Sequence, residues 1–140
     1  MGKINWARVF VGGLLAGVVS NILGFAIWYV YLRDQWGPAM EALGRPIQET
    51  TGMNIFWVVV SFVGGILGVY LYAAIRPRFG PGPKTAACAG FLYWLIGGLL
   101  PTVGWGTILG FPRGLLATDT VISLIITVIA VMAGAWAYKE

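Results

Sequence analysis

Four long stretches of this sequence consist almost wholly of apolar residues, and that feature restricts the chain to a lipid environment. A helix that crosses the hydrocarbon core of a bilayer needs about 20 consecutive apolar residues. Four stretches meet this requirement: about 9–32, 54–75, 85–100 and 115–138. Hydrophobic residues make up 59% of the chain and charged residues only 10%, which no soluble domain of this size can accommodate. We therefore predict an all-α, integral membrane four-helix bundle in a single domain, 1–140.

The third stretch has an ambiguous end, because Pro101 interrupts it. Either the helix continues past Pro101 with a kink, or the chain folds into a short hairpin at the membrane interface. Proline removes one backbone hydrogen bond, and lipid supplies no replacement partner. We therefore expect segment 104–112 to lie near the headgroups and against protein.

Two connections between the stretches have a composition of their own. The surface loop 33–53 is the longer one, and its segment 38–43 has the composition of one or two helical turns on the outer surface, with Gly44 as a stop signal. The basic turn 76–84 is rigid, because three prolines restrict its dihedral angles.

The basic residues predict an orientation, because cytoplasmic connections carry an excess of lysine and arginine. The side that holds the N-terminal segment carries Lys3, Arg8, Arg76, Arg78, Lys84 and Lys139, whereas the opposite side carries Arg33, Arg45 and Arg113. We expect a multi-pass protein of the inner membrane with both termini in the cytoplasm.

Small residues recur at helical spacing in every stretch. In lipid, helices associate through close packing and interhelical hydrogen bonds, which favours small residues on the contact faces. The glycines that we expect to pack helices together are Gly13, Gly17, Gly24, Gly64, Gly65, Gly68, Gly90, Gly97 and Gly134. The same faces also suit contacts with other membrane protein subunits or with a second copy of the chain.

A few polar side chains within the stretches are candidates for an intramembrane polar site, because an unpaired polar group in hydrocarbon is costly. Asn21 either donates to an ion or substrate, or makes a structural bond to Ser61, Ser123 or Thr127. Asp119 is the one acid that falls within a stretch. It either forms a proton or cation site, or has a structural role in which Thr118 or Asp119 caps the fourth helix and Arg113 or Arg33 is the partner of the acid.

Arg76, Arg78 and Lys84 form a second candidate site in the basic turn. Basic residues at a membrane surface anchor to anionic lipid headgroups, at about 1 kcal/mol for each one. The alternative is a docking surface for a cytoplasmic partner or a phosphorylated ligand. A patch this small does not indicate nucleic acid.

The reactive residue types argue against an enzyme or a cofactor protein. The chain has no histidine, which removes the commonest general base and metal ligand, and it has a single cysteine, Cys88. No nucleophile accompanies a base, and no glycine loop has the pattern of a phosphate-binding site. We expect no catalytic residues, no metal and no cofactor.

The segment Tyr72-Ala-Ala-Ile-Arg-Pro-Arg-Phe-Gly-Pro-Gly-Pro-Lys-Thr-Ala86 resembles a group of small four-helix bacterial integral membrane proteins without an assigned activity. The opening Ile4-Asn-Trp-Ala-Arg-Val and the closing Gly134-Ala-Trp-Ala-Tyr-Lys-Glu140 are similar as well. The resemblance implies a bacterial inner-membrane setting.

Two functions remain open from the sequence. The first is a non-enzymatic accessory or scaffolding subunit of a larger membrane complex, indicated by small-residue packing beside so few reactive groups. The second is a small oligomeric transporter or channel that uses Asn21, Asp119 and the interrupted third helix. Small multidrug exporters have this size and helix count, but their mechanism needs a membrane-embedded glutamate in the first helix, and residues 9–32 contain no acid.

Overall fold

Four long helices account for most of the chain. A computed structural model describes residues 3–139. The helices are α1, Trp6–Ala42; α2, Thr51–Phe79; α3, Pro83–Leu109; and α4, Arg113–Ala137. Residues 3–139 contain no strand. All four helices have the length and hydropathy of membrane spans. These properties are those of a multi-pass membrane protein.

Local sequence signals set the helix ends. The Asn5 side chain accepts a hydrogen bond from the Arg8 backbone N–H at 3.2 Å and so caps α1. Thr50 caps α2 in the same way through Met53 N–H, also at 3.2 Å. Helix α3 ends at Gly110, which has a φ of 71°, and glycine adopts this left-handed conformation without a steric penalty.

Helix α1 is longer than the predicted apolar stretch and contains a wide π-helical turn at Trp28–Leu32. The polar segment Arg33–Ala42 continues the helix beyond this turn. The connection to α2 is therefore 43–50, much shorter than the predicted loop 33–53. The charges of Arg33 and Asp34 are compatible with helix, because this part of α1 is mostly exposed to solvent.

Hydrogen bonds at both ends of the bundle show that α1 bends. A straight helix would carry Trp36 about 46 Å from Asn5, whereas Asp119 lies only about 29 Å along α4 from Tyr138. Yet Asn5 contacts Tyr138, and Trp36 contacts Asp119. The segment after the π-helical turn therefore crosses over the end of the bundle, and π-turns are a recognised cause of such bends.

Helix α3 continues through Pro101 to Leu109, so of the two predicted paths the chain takes the continuous helix. A second π-helical turn, Leu95–Leu99, directly precedes the proline. A wider turn moves the carbonyl that would otherwise collide with the proline ring. This local adjustment allows the helix to pass the proline within the membrane.

Helices α1 and α3 each pack against α2 and α4, and α2 and α4 also contact each other. Most of the buried residues lie at one end, where Asn5 and Tyr138 meet. We call this the terminal half, and we call the opposite end, which holds the 43–50 connection and the turn at Gly110, the distal half. The core cluster of the terminal half contains Val9, Ala16, Val69, Tyr72, Ala73, Ala86, Ala89, Val131, Ala135 and Tyr138.

Glycines bring the backbones of the terminal half into direct contact. A Cβ atom added at Gly65 would lie 2.5 Å from the carbonyl oxygen of Gly13, and one added at Gly134 would lie 2.5 Å from that of Gly12. Real Cβ atoms do not approach backbone so closely, so only glycine fits at these positions. Helix α1 is thereby fixed against both α2 and α4.

The other glycines with an expected packing role divide into two groups. Contacts across helices occur at Gly13, Gly17, Gly64, Gly68 and Gly90. In contrast, a Cβ atom at Gly24 would meet nothing within 4 Å, and one at Gly97 would meet only Tyr93 of its own helix. Gly24 lies beyond the packed region, in the distal half, where α1 and α2 have separated.

Candidate functional site

A cleft of about 620 Å³ opens between α1 and α2 in the distal half. One wall comes from α1 and includes Ser20, Asn21, Gly24 and Trp28, and the other comes from α2, from Met53 to Ser61. Small-molecule sites in proteins commonly measure about 300–1,000 Å³. The cleft is therefore large enough to hold a ligand, and it is the site that the described residues best define.

The bent end of α1 forms a roof over this cleft. Trp36 and Met40 line it, together with the connection from Arg45 to Glu49. Arg33 Nε donates to Glu49 Oε1 at 2.9 Å, which ties the connection to the helix. The roof restricts access from the distal end, whereas Met53 and Trp57 remain 45% and 55% exposed at the side. The cleft is therefore open at the side where these two residues lie.

Asn21 lies at the floor of the cleft. Its Nδ2 donates to the carbonyl oxygen of Gly17 at 2.9 Å and, at the limit of hydrogen-bonding distance, to that of Val58 at 3.5 Å. Its Oδ1 is buried and has no hydrogen-bond partner among the described residues. A buried acceptor without a donor costs about 1–3 kcal/mol, so this oxygen is a place where a ligand donor would be stabilising.

The walls around Asn21 combine aromatic rings with uncharged polar groups. The rings belong to Phe25, Trp28, Trp36 and Trp57, whereas Ser20, Ser61 and Asn54 contribute hydroxyl and amide groups. Charged side chains line the cleft only at the connection 45–49. Aromatic walls with a few uncharged polar groups suit a neutral, largely apolar ligand.

Asp119 lies next to this cleft without lining it. Its Oδ1 accepts a hydrogen bond from Trp36 Nε1 at 3.3 Å, and the Trp36 ring packs edge-on against Phe111, with 5.0 Å between the ring centroids. Helix α4 begins at Arg113 with Pro112 as its N-cap residue. Asp119 therefore lies within the helix rather than at its cap, and Arg33, one of its two expected partners, pairs with Glu49 instead.

The five polar residues expected to form one intramembrane site are distributed over four places. Asn21 and Ser61 line the cleft, but Asn21 donates to backbone carbonyls rather than to the expected hydroxyl groups. Ser123 accepts a hydrogen bond from Trp94 Nε1 at 3.0 Å, between α3 and α4. Thr127 is half-buried on α4. Asp119 completes the set beside Trp36, so no single site contains all five.

The predicted basic turn 76–84 is reduced to residues 80–82 at the terminal half, because α2 continues through Pro77 to Phe79 and α3 begins at Pro83. Arg76 stacks over the ring of Tyr138, with its guanidinium carbon 5.5 Å from the ring centroid, and so belongs partly to the core. Arg78 and Lys84 are exposed. Arg78 lies in the last turn of α2 and Lys84 in the first turn of α3.

Several residues of the site were not evident from the sequence. Trp36, Met40 and the 45–49 connection line the cleft only because α1 bends. The one available signal was the spacing of Trp36, Ala39 and Met40, which places them on one face of a helix. Among residues 3–139 no group of three metal-ligating side chains comes together, and Cys88 is a half-buried free thiol.

Comparison of the chain with protein-family models, curated proteins and solved structures finds no match.

Proposed function

We propose that this protein is a non-enzymatic, small integral membrane protein that serves as an accessory or scaffolding subunit of a larger membrane complex. One observation carries the proposal: the helices are tightly packed in the terminal half and separate in the distal half. Such a bundle has a rigid base and leaves helix surfaces available to other membrane proteins. Lipids, other subunits or a second copy of the chain are the partners that this surface suits.

The separation is clearest between α2 and α3. They pack together through Pro83–Trp94, but the segment Leu100–Leu109 hardly contacts α2. Val103 and Ile108 of that segment are 54% and 74% exposed. Tight packing is the main source of helix association in lipid, so the sparse contact between α2 and α3 in the distal half favours packing against a neighbouring subunit.

The closed terminal half supports a structural role over a transport role. Direct backbone contacts at Gly12–Gly134 and Gly13–Gly65 fill the space between α1, α2 and α4. A pathway through a single bundle would require these contacts to open. Interfaces built from backbone atoms do not open by side-chain rotation. The terminal half therefore favours a bundle that does not open over one that forms a transport pathway.

We further propose that the terminal half faces the cytoplasm of a bacterial cell, with the protein in the inner membrane. Lys3, Arg8, Arg78, Lys84 and Lys139 belong to this end, and all five side chains are exposed. Their number favours this orientation under the positive-inside rule. The same side chains suit contact with anionic headgroups or a cytoplasmic partner.

Photocrosslinking in native membranes tests the accessory role. A photoreactive phenylalanine analogue replaces Val103 or Ile55 on the distal surfaces of α3 and α2, and replaces Ile22 on α1 as a control position of similar exposure. We expect Val103 and Ile55 to yield the same discrete protein adduct, which also co-purifies in mild detergent without crosslinking. A free monomer with no protein adduct at either position would contradict the proposal.

A small oligomeric transporter or channel is the second candidate, favoured by the unpaired Asn21 Oδ1 in the distal cleft. In that case flux through proteoliposomes should fall about tenfold or more in Asp119→Asn, which removes an ionisable carboxyl group, and in Asn21→Leu, which removes a polar amide, because such groups within membrane spans commonly form ion or proton pathways. Thr127→Val is the matched control. Flux that stays unchanged in both variants, or that is absent from the parent protein, would exclude this function.

A further inference from the structure

We propose that the distal cleft binds one neutral, mostly apolar molecule that carries a ring system and a hydrogen-bond donor, and that Asn21 Oδ1 accepts the donated hydrogen. The site is independent of the accessory role: it concerns what fills the space between α1 and α2, whereas the subunit contacts concern α2 and α3. The two proposals therefore succeed or fail separately.

The roof determines the kind of molecule that enters. A transmembrane helix is about 10–12 Å across and must run the full length of the groove that it occupies. Trp36, Met40 and the 45–49 connection line the distal end of this cleft, so a helix could pass through that end only by displacing them. Only a small molecule can enter from the lipid side and fit beneath the roof, and 620 Å³ is a typical volume for that purpose.

The charge distribution of the cleft favours a neutral ligand. The side chains at the floor are Ser20, Asn21 and Ser61, and none of them carries a charge. Ser61 lies about 15 Å along α2 from its first residue, well below the charged connection. A charged group at that depth without a counter-charge would be strongly destabilised, so the polar end of the ligand is an O–H or N–H group without charge.

The hydrogen-bonding state of Asn21 favours a donor over an acceptor. Nδ2 already donates to the Gly17 carbonyl oxygen at 2.9 Å, whereas Oδ1 accepts nothing. The 3.5 Å contact to Val58 restrains the amide only weakly. Because Oδ1 is buried, binding of the donor requires a rotation of the amide about its side-chain bond that turns Oδ1 toward the ligand and keeps the Nδ2 bond to Gly17.

The aromatic residues favour a flat ring as the body of the ligand. Trp28 lies on the α1 wall and Trp57 on the α2 wall, with Phe25 and Trp36 also in the lining. Aromatic pairs gain stability beyond simple burial when they stack or meet edge to face. A saturated chain would gain burial in this cleft without that additional contribution.

Photolabelling with two matched probes tests the proposal. The probes are a diazirine-bearing naphthol and its methyl ether, which share the ring and differ in the O–H donor. The full chain is labelled in lipid vesicles, and the labelled peptides are identified by mass spectrometry, with the peptide around Trp105 as the lipid-exposed reference. We expect the naphthol to label the lining around Met53 and Trp57 about 2- to 10-fold more than the ether, the range that one net hydrogen bond provides.

Two variants identify the site. Asn21→Leu has a similar volume but no acceptor, and it should abolish the preference for the naphthol over the ether. Gly24→Leu introduces a side chain where a Cβ atom meets nothing within 4 Å, so it should fill the cleft and remove labelling by both probes. Gly104→Leu, at another open glycine outside the cleft, is the control and should leave labelling unchanged.

Three labelling results would overturn the proposal: equal labelling by the two probes, a preference for the naphthol that persists in Asn21→Leu, or labelling that persists in Gly24→Leu. A protein adduct from a photoreactive group placed at Trp57 would overturn it too, because a partner chain would then occupy the cleft. That last result would still be compatible with the accessory role. All three variants change side chains outside the core of the terminal half, so helix content should remain that of the parent protein.

Discussion

Gly65→Ala is expected to destabilise the protein by about 2–3 kcal/mol, although it adds only one methyl group. The new Cβ atom would lie 2.5 Å from the carbonyl oxygen of Gly13 and 2.6 Å from the backbone nitrogen of Gly17. Both are backbone atoms of α1, so relief requires α1 and α2 to move apart. The free energy of unfolding in mild detergent, measured by titration with a denaturing detergent, reports this loss.

Gly24→Ala is the matched control within α1, because its Cβ atom meets nothing within 4 Å. Alanine is a better helix former than glycine by about 0.5–1 kcal/mol, so this variant should be as stable as the parent protein or more so. Equal destabilisation by the two substitutions would contradict the packing of the terminal half. Gly134→Ala places its Cβ atom 2.5 Å from the Gly12 carbonyl oxygen. It should destabilise the protein as Gly65→Ala does, at a second helix interface.

Tyr138→Ala should cost about 3–5 kcal/mol, the usual range for truncating a buried aromatic side chain. Tyr138 is only 4% exposed and joins three elements. Its hydroxyl accepts from the Asn5 backbone N–H at 3.2 Å, its ring packs edge-on against Tyr72, and Arg76 lies over its face. Thermal unfolding monitored by circular dichroism in mild detergent measures the effect.

Two further variants separate the contributions to this effect. Tyr138→Phe removes only the hydroxyl and should cost about 0.5–1.5 kcal/mol, the net value of one hydrogen bond. Trp136→Ala truncates a larger ring nearby that is 81% exposed, and it should change the unfolding temperature little. A larger effect from Trp136→Ala than from Tyr138→Ala would show that the aromatic contact at this end does not contribute as described.

The number and approximate position of the helices could be predicted from the sequence because lipid imposes a minimum apolar length on each span. The positions of the helix ends were predicted less accurately. Arg33 and Asp34 look like the end of an apolar stretch, yet α1 continues to Ala42. Pro101 left two paths open, a kinked continuation or a hairpin, and α3 continues to Leu109. In both helices a π-helical turn lies just before the segment in which the helix continues, and no simple residue pattern predicts such a turn.

The candidate site was predictable only in part. Asn21 was identified because an amide in hydrocarbon needs a partner, but its backbone partners depend on how closely α2 approaches. The role of Gly24 could not be inferred from spacing, because it shares the small-residue pattern of Gly13 and Gly17 and yet faces the cleft. The partner of Asp119 depends on the bend of α1, which brings Trp36 back over the bundle. Long-range geometry of this kind is not contained in a local pattern.

The junction of α1 with α4 has a consequence for biogenesis. Asn5 and Tyr138 are 133 positions apart, whereas α1 and α2 are neighbours in the chain. Because helices enter the membrane in order of synthesis, the side of α1 that receives Gly134 remains covered by acyl chains until the last span arrives. Lipid must leave that surface for the final helix to dock. The region that is most closely packed in the mature protein is therefore also the last to assemble.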